Sequence, residues 1–148
     1  MRIAIASDHA AVALKAELRD WLIDEGHDVA DLGTDGSASV DYPDFGAALA
    51  DAVASGRAER GIALCGSGIG ISIAVNRNPR VRCALVGEPL SAALARQHND
   101  ANAIAMGARL TGPEMARACV TAFLTTPFAG GRHQARVDKL DTSAKEPA

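Results

Sequence analysis

Apolar residues alternate between two regimes along the chain. Short runs (RIAIAS at 2–7, DVADLG at 28–33, RGIALCG at 60–66, RCALVG at 82–87 and ANAIAMG at 101–107) are separated by longer stretches whose apolar positions recur at helical spacing. The first stretch puts Leu14, Leu18, Trp21 and Leu22 on one stripe, with Lys15, Glu17, Arg19 and Asp20 expected largely to face away. Gly26 stands where a helix C-cap belongs. PDFGAALADAVASG closes on Gly56, LSAALARQHND follows Pro89, and GPEMARACVTAFLTTP opens near Pro113 and stops before Pro127. Single helices between short apolar strands predict an open, doubly wound α/β sheet of five parallel strands, because right-handed crossovers then cover both faces.

After Phe128 a glycine hinge leads into a short basic helix, AGGRHQARVDKL. No strand follows it, so the doubly wound layout does not require it to pack on its own sheet, and it is free to reach a neighbour. One domain over residues 1–140 is expected, with 141–148 as a frayed tail.

Composition narrows the function classes. At 148 residues the chain fits one core. A net charge of -3, one Trp and one Tyr supply neither a basic stripe nor an aromatic stacking platform, which argues against nucleic acid as a partner. The opening MRIAIASDHA lacks a signal-like pattern, and no apolar stretch approaches the ~20 residues that span a bilayer, so no membrane partner and a cytoplasmic location are expected. Cys65, Cys83 and Cys119 are widely spaced and form no CxxC pair, which favours reduced thiols over disulfides or a zinc site.

In an open parallel sheet, ligands bind beyond the carboxyl ends of the strands. The residues there are Ser7, Asp8 and His9 after the first run, Gly33, Thr34 and Asp35 after the second, Cys65 to Gly70 after the third, and Gly107 to Arg109 after the fifth. CGSGIG lies between a strand and a helix, where consecutive amides converge on an anion; its alternative is a glycine turn that permits tight packing. Its GxGxG spacing, after the third strand, is not the GxGxxG dinucleotide fingerprint, and it lacks the P-loop lysine. A thiol at a helix N-terminus favours the thiolate, so Cys65 suits a base, although a lone strand-end cysteine also serves as a small buried hydrophobe. Arg132 and Arg136, four apart on one helical face, can grip a phosphate together with Arg109, or form a solvated face. His9 and His98 sit at element ends, where histidine also acts as a cap.

DH after the first strand, DYPDF, CGSGIGISIAVNR, RQHNDANAIAMGAR and GGRHQARV together resemble the type B ribose-5-phosphate isomerases, within the ribose/galactose-6-phosphate isomerase family, over almost the whole chain. The resemblance implies a Rossmann-like homodimer, sometimes a dimer of dimers, acting on a sugar phosphate without metal or cofactor through a cis-enediol. It implies that Cys65 is the base, that Ser67, where many members have threonine, relays a proton, and that His98 assists ring opening. It assigns His9, Arg109, Arg132 and Arg136 to the phosphate, Asp8, Tyr42 and Asn99 to sugar hydroxyls, and the loop of Gly66, Gly68, Ile69 and Gly70 to the developing oxyanion. Other members carry a glutamate in the glycine loop; Cys65 with Ile71 and Ser72 places this chain in the cysteine branch.

Because His98 ends the fourth helix, it is expected at the amino end of its own sheet, opposite Cys65, so that a two-fold partner would complete each site. The leading substrate pair is ribose 5-phosphate and ribulose 5-phosphate. The alternatives are a six-carbon isomerase acting on allose or galactose 6-phosphate, and a non-catalytic phosphosugar-binding module, against which Cys65, Ser67 and His98 argue.

Overall fold

Each of the five apolar runs is a strand: β1 (Arg2–Ser7), β2 (Asp28–Asp31), β3 (Arg60–Cys65), β4 (Cys83–Leu85) and β5 (Ala103–Gly107). They form one all-parallel sheet of order β2-β1-β3-β5-β4 in the computed structural model, which describes residues 1–141. The helices are α1 (Val12–Asp24), α2 (Tyr42–Ala54), α3 (Ile69–Val75), α4 (Pro89–Asn99), α5 (Pro113–Thr125) and α6 (Arg132–Asp141). Gly26 (φ 91°) and Gly56 (φ 78°) end α1 and α2 in the left-handed conformation that their positions suggest. No helix among the described residues is long and apolar enough to cross a membrane.

The two faces of the sheet differ in side-chain size, as strand alternation allows. Ile3, Ile5, Ile62, Leu64, Ile104 and Met106 cluster with Leu18 and Leu22 of α1, Ala92 of α4 and Phe123 of α5. Ala4, Ala6, Ala63, Cys65, Ala103 and Ala105 share the opposite cluster with Leu49 and Val53 of α2 and Ile71 and Val75 of α3. Cys65 thus ends a strand on the small-residue face, beside α2 and α3.

The structure corrects one side of the α1 stripe. Lys15 is only 1% exposed, and its Nζ lies 2.6 and 2.5 Å from the two carboxylate oxygens of Asp31 and 3.1 Å from Asp35 Oδ1. Position 15 lies one turn beyond the buried Ala11, so geometry puts it on the apolar stripe and ion pairing lets a lysine occupy it. Nor does α6 project freely: Val137 is buried, and Arg82 Nη1 meets Asp141 Oδ1 at 2.9 Å. Asp141, expected to open the tail, closes α6; the rest of the expected tail lies outside the described residues.

Candidate active site

From β1 the chain moves to β2 on one side and to β3 on the other, so the carboxyl ends of β1 and β3 flank the point where strand order reverses. Asp8 and His9 follow the first of these strands, and Cys65 ends the second. The Cys65 Sγ accepts the Gly68 amide at 3.1 Å, so a negative charge on sulfur would find a donor in place. Gly68 has φ 77°, and a β-carbon there would lie 2.7 Å from the Met106 carbonyl carbon; one at Gly107 would lie 2.5 Å from the Ser67 carbonyl. The two glycines let the loop after β3 lie against the turn after β5. Ala108 N–H donates to Cys65 O at 2.9 Å and Arg109 N–H to Gly66 O at 3.0 Å, which closes the contact. The amides of Gly66, Ser67 and Gly70 have no acceptor among the described residues.

The other wall is built from β1 and the start of α2. Asp8 Oδ1 accepts the Ala10 amide at 3.0 Å and caps the short 3-10 turn of residues His9–Ala11. His9 Nδ1 accepts the Val40 amide at 3.1 Å, which leaves the proton of the neutral ring on Nε2. The Tyr42 ring packs on Gly70, where a β-carbon would meet its Cζ at 2.6 Å, and the Arg109 guanidinium packs over Gly66. Asp8, His9, Tyr42, Cys65, Gly66, Ser67, Gly70 and Arg109 line one open cavity of about 300 Å³, the lower end of the range for small-molecule sites. Gly68 is buried beneath the loop, and Ile69 borders an adjoining cavity with Leu85 and Leu110.

Two larger clefts lie elsewhere, one of about 480 Å³ containing Arg82, Cys83 and Asn99, the other of about 700 Å³ containing Arg57, Arg77 and Arg80. Desolvation pushes the Cys83 thiol up to about 12, so it makes a poor base.

Four expected residues stand apart from this cavity. His98 and Asn99 end α4, which runs down to the amino edge of the sheet, and Arg132 and Arg136 are exposed on α6. The structure brings these two segments together through His133, whose ring stacks on His98. The His133 imidazole is held below the ordinary histidine range, by desolvation first and then by the charges of His98, Arg132 and Arg136. Sequence reasoning passed over His133, although it sits inside the GGRHQ block. It also missed Asp31, which accepts from Lys15, from Arg19 Nη1 at 3.0 Å and from the Gly33 amide at 2.9 Å. Gly33 O in turn accepts the Ser7 amide and Ser7 O accepts the Thr34 amide, each at 2.7 Å, so the β2 end supports the strand that carries Asp8 without lining the cavity.

The chain matches the model of the Ribose/Galactose Isomerase family over residues 3–140. It is 44% identical over 139 residues to ribose-5-phosphate isomerase B of Escherichia coli (strain K12), covering 94% of this chain and 93% of that protein. It is 40% identical over 141 residues to D-erythrulose-4-phosphate isomerase of Pectobacterium atrosepticum, covering 95% and 93%. The solved structure of Clostridium thermocellum ribose-5-phosphate isomerase B superposes with a TM-score of 0.95 at 47% identity, covering 96% of each chain.

Proposed function

Since this chain belongs to the Ribose/Galactose Isomerase family and is a sugar-phosphate isomerase, we propose that it interconverts ribose 5-phosphate and ribulose 5-phosphate, with Cys65 as the base. The observation that carries the reading is the cavity at the β1/β3 switch point, where a thiol, a hydroxyl and an arginine surround amides that find no acceptor among the described residues. Two relatives of nearly full coverage bear the ribose-5-phosphate isomerase B name, which favours the five-carbon pair over the four-carbon substrate of the Pectobacterium relative and over six-carbon sugars.

The chemistry moves only protons, so no metal or cofactor is needed to balance it. Cys65 removes the C2 proton of the open-chain aldose, and the electron pair collects on O1 as a cis-enediolate. The amides of Gly66, Ser67 and Gly70 stabilise that oxyanion, a preorganised interaction of which one donor is typically worth ~2.7–4 kcal/mol of barrier. Ser67 relays a proton from O2 to O1, and the thiol returns its proton to C1. Asp8 and Tyr42 hold sugar hydroxyls, while His9 and Arg109 approach the phosphate.

Ring opening and the remaining phosphate contacts fall to the second cluster. We assign ring opening to the partner subunit's His98, phosphate to the partner subunit's Arg132 and the partner subunit's Arg136, and a sugar hydroxyl to the partner subunit's Asn99, in a two-fold dimer with two composite sites. Support comes from the separation of the clusters within one chain and from the exposed apolar surface beside the cavity: Ile69 and Ile73 are each 51% exposed, Leu85 47% and Leu110 75%. That patch borders the edge strand β4, a surface suited to burial between subunits.

A rate comparison across ribose 5-phosphate, erythrose 4-phosphate, allose 6-phosphate and galactose 6-phosphate tests the substrate. The highest kcat/KM is expected for ribose 5-phosphate, and a clear preference for another sugar overturns the assignment.

A further inference from the structure

The residues assigned to the donated half of the site lie on two segments, the last turn of α4 and the exposed face of α6, and something must hold them in one geometry. Arg82, just before β4, touches both. Its Nε lies 3.2 Å from Asn99 O and 3.1 Å from Asp100 O, its Nη2 3.3 Å from Asp100 Oδ2, and its Nη1 2.9 Å from Asp141 Oδ1 at the far end of α6. Its backbone is seated as well: the Arg82 amide donates to Asn102 Oδ1 at 2.7 Å, and its carbonyl accepts the Asn102 and Ala103 amides.

The other end of this network is equally restrained. Asp100, with φ 45°, is the one non-glycine residue in the left-handed region among those described, and it caps α4 directly after His98 and Asn99. Its second oxygen meets Arg96 Nη1 at 2.9 Å, and that buried guanidinium also donates to Ala101 O at 2.6 Å. α6 is therefore fastened to the end of α4 directly at its start, by His133 on His98, and through Arg82 at its far end, where Asp141 meets the guanidinium that also holds Asn99 and Asp100.

We propose that Arg82 is a positioning residue that locks the end of α4 and α6 into one unit, presenting His98 and Asn99 together with Arg132 and Arg136. This rests on the reading that those four residues meet substrate. A planar fork with four acceptors on two segments cannot be replaced by a point charge, so lysine should not substitute for it.

The test compares Arg82→Ala, Arg82→Lys, Asp141→Asn, His98→Ala and the double variant Arg82→Lys/His98→Ala, with kcat, KM and thermal midpoint measured on each full-length protein. Both Arg82 variants should lose kcat and gain KM, with kcat/KM falling on the order of 10²-fold, the size of effect that a displacement of about 1 Å produces. Asp141→Asn, which loosens only α6, should raise KM and spare kcat. The double variant should have a kcat no lower than His98→Ala, because an already absent imidazole cannot be misplaced further. Arg82→Lys with wild-type kcat and KM overturns the proposal and leaves the role of His98 standing. Multiplying losses in the double variant also overturn it, since Arg82 would then act independently of His98. A loss of kcat that vanishes below the thermal midpoint of each variant marks a purely structural role and overturns it too. If His98→Ala itself turns over normally, the ring-opening role has failed, and the positioning role fails with it.

Discussion

The imidazoles of His98 and His133 are stacked, with ring centroids 4.4 Å apart and planes 15° from parallel. This contact sets the first turn of α6 against the last turn of α4 and turns two distant blocks, RQHNDAN and GGRHQ, into one surface. Desolvation first, and then the charges of His98, Arg132 and Arg136, hold His133 toward its neutral form, and the two arginines are the groups proposed above to meet the phosphate.

Arg132→Ala and Arg136→Ala should each raise KM for the phosphorylated substrate roughly 10- to 100-fold, the range for one charge-assisted hydrogen bond, while kcat changes little. With unphosphorylated ribose the variants and the wild type should converge. If KM does not move for either variant, the pair is a solvated face.

Cys65→Ala should reduce kcat about 10²–10⁴-fold, the contribution of a positioned base. Substrate should still bind, because the residues proposed to hold the phosphate and the hydroxyls are others; calorimetric titration of the variant measures this. Turnover close to that of the wild type would move the base to another group.

Lys15 and Asp31 give an acid-sensitive term in stability. Burial alone would raise the Asp31 carboxyl, but hydrogen bonds from Lys15, the Gly33 amide and Arg19 outweigh it and hold the group below the usual carboxylate range. A carboxylate depressed in the fold contributes stability that is present above its unfolded pKa of about 3.9 and is lost as pH falls through the lower folded value. Lys15→Met should lower stability at neutral pH by about 3 kcal/mol, near the low end for breaking a buried pair because Arg19 remains. Urea unfolding at pH 7 and pH 3 should show this gap narrowing in acid. A gap independent of pH would mean that Lys15 acts only through packing.

The five strands and the helix ends were legible because short continuous apolar runs, Gly26, Gly56, Pro89 and Pro113 each act locally. So was the cluster at the switch point, since parallel topology sends Asp8, Cys65 and Arg109 to the same end of the sheet. Lys15 was misplaced because its residue type suggests solvent, while its partner Asp31 lies on another element and only the folded chain brings the two together. His133 escaped notice for a related reason: between exposed residues of a basic helix it looks like surface until α4 supplies the second ring. The docking of α6 depends on Val137 and Asp141 meeting partners distant in sequence, which helical periodicity alone does not reveal.

Whether Cys65 and His98 of different subunits share one site decides between a composite site and one built from a single chain. Coexpressing Cys65→Ala and His98→Ala chains, each reduced to a small residual activity alone, measures it directly. In every mixed dimer one site collects both lesions and the other collects none. With random pairing about half the dimers are mixed and half the sites in each are intact, so roughly a quarter of wild-type activity should return. If His98 instead serves the site of its own subunit, every site in every dimer keeps one lesion, and the coexpressed enzyme will stay at that residual activity.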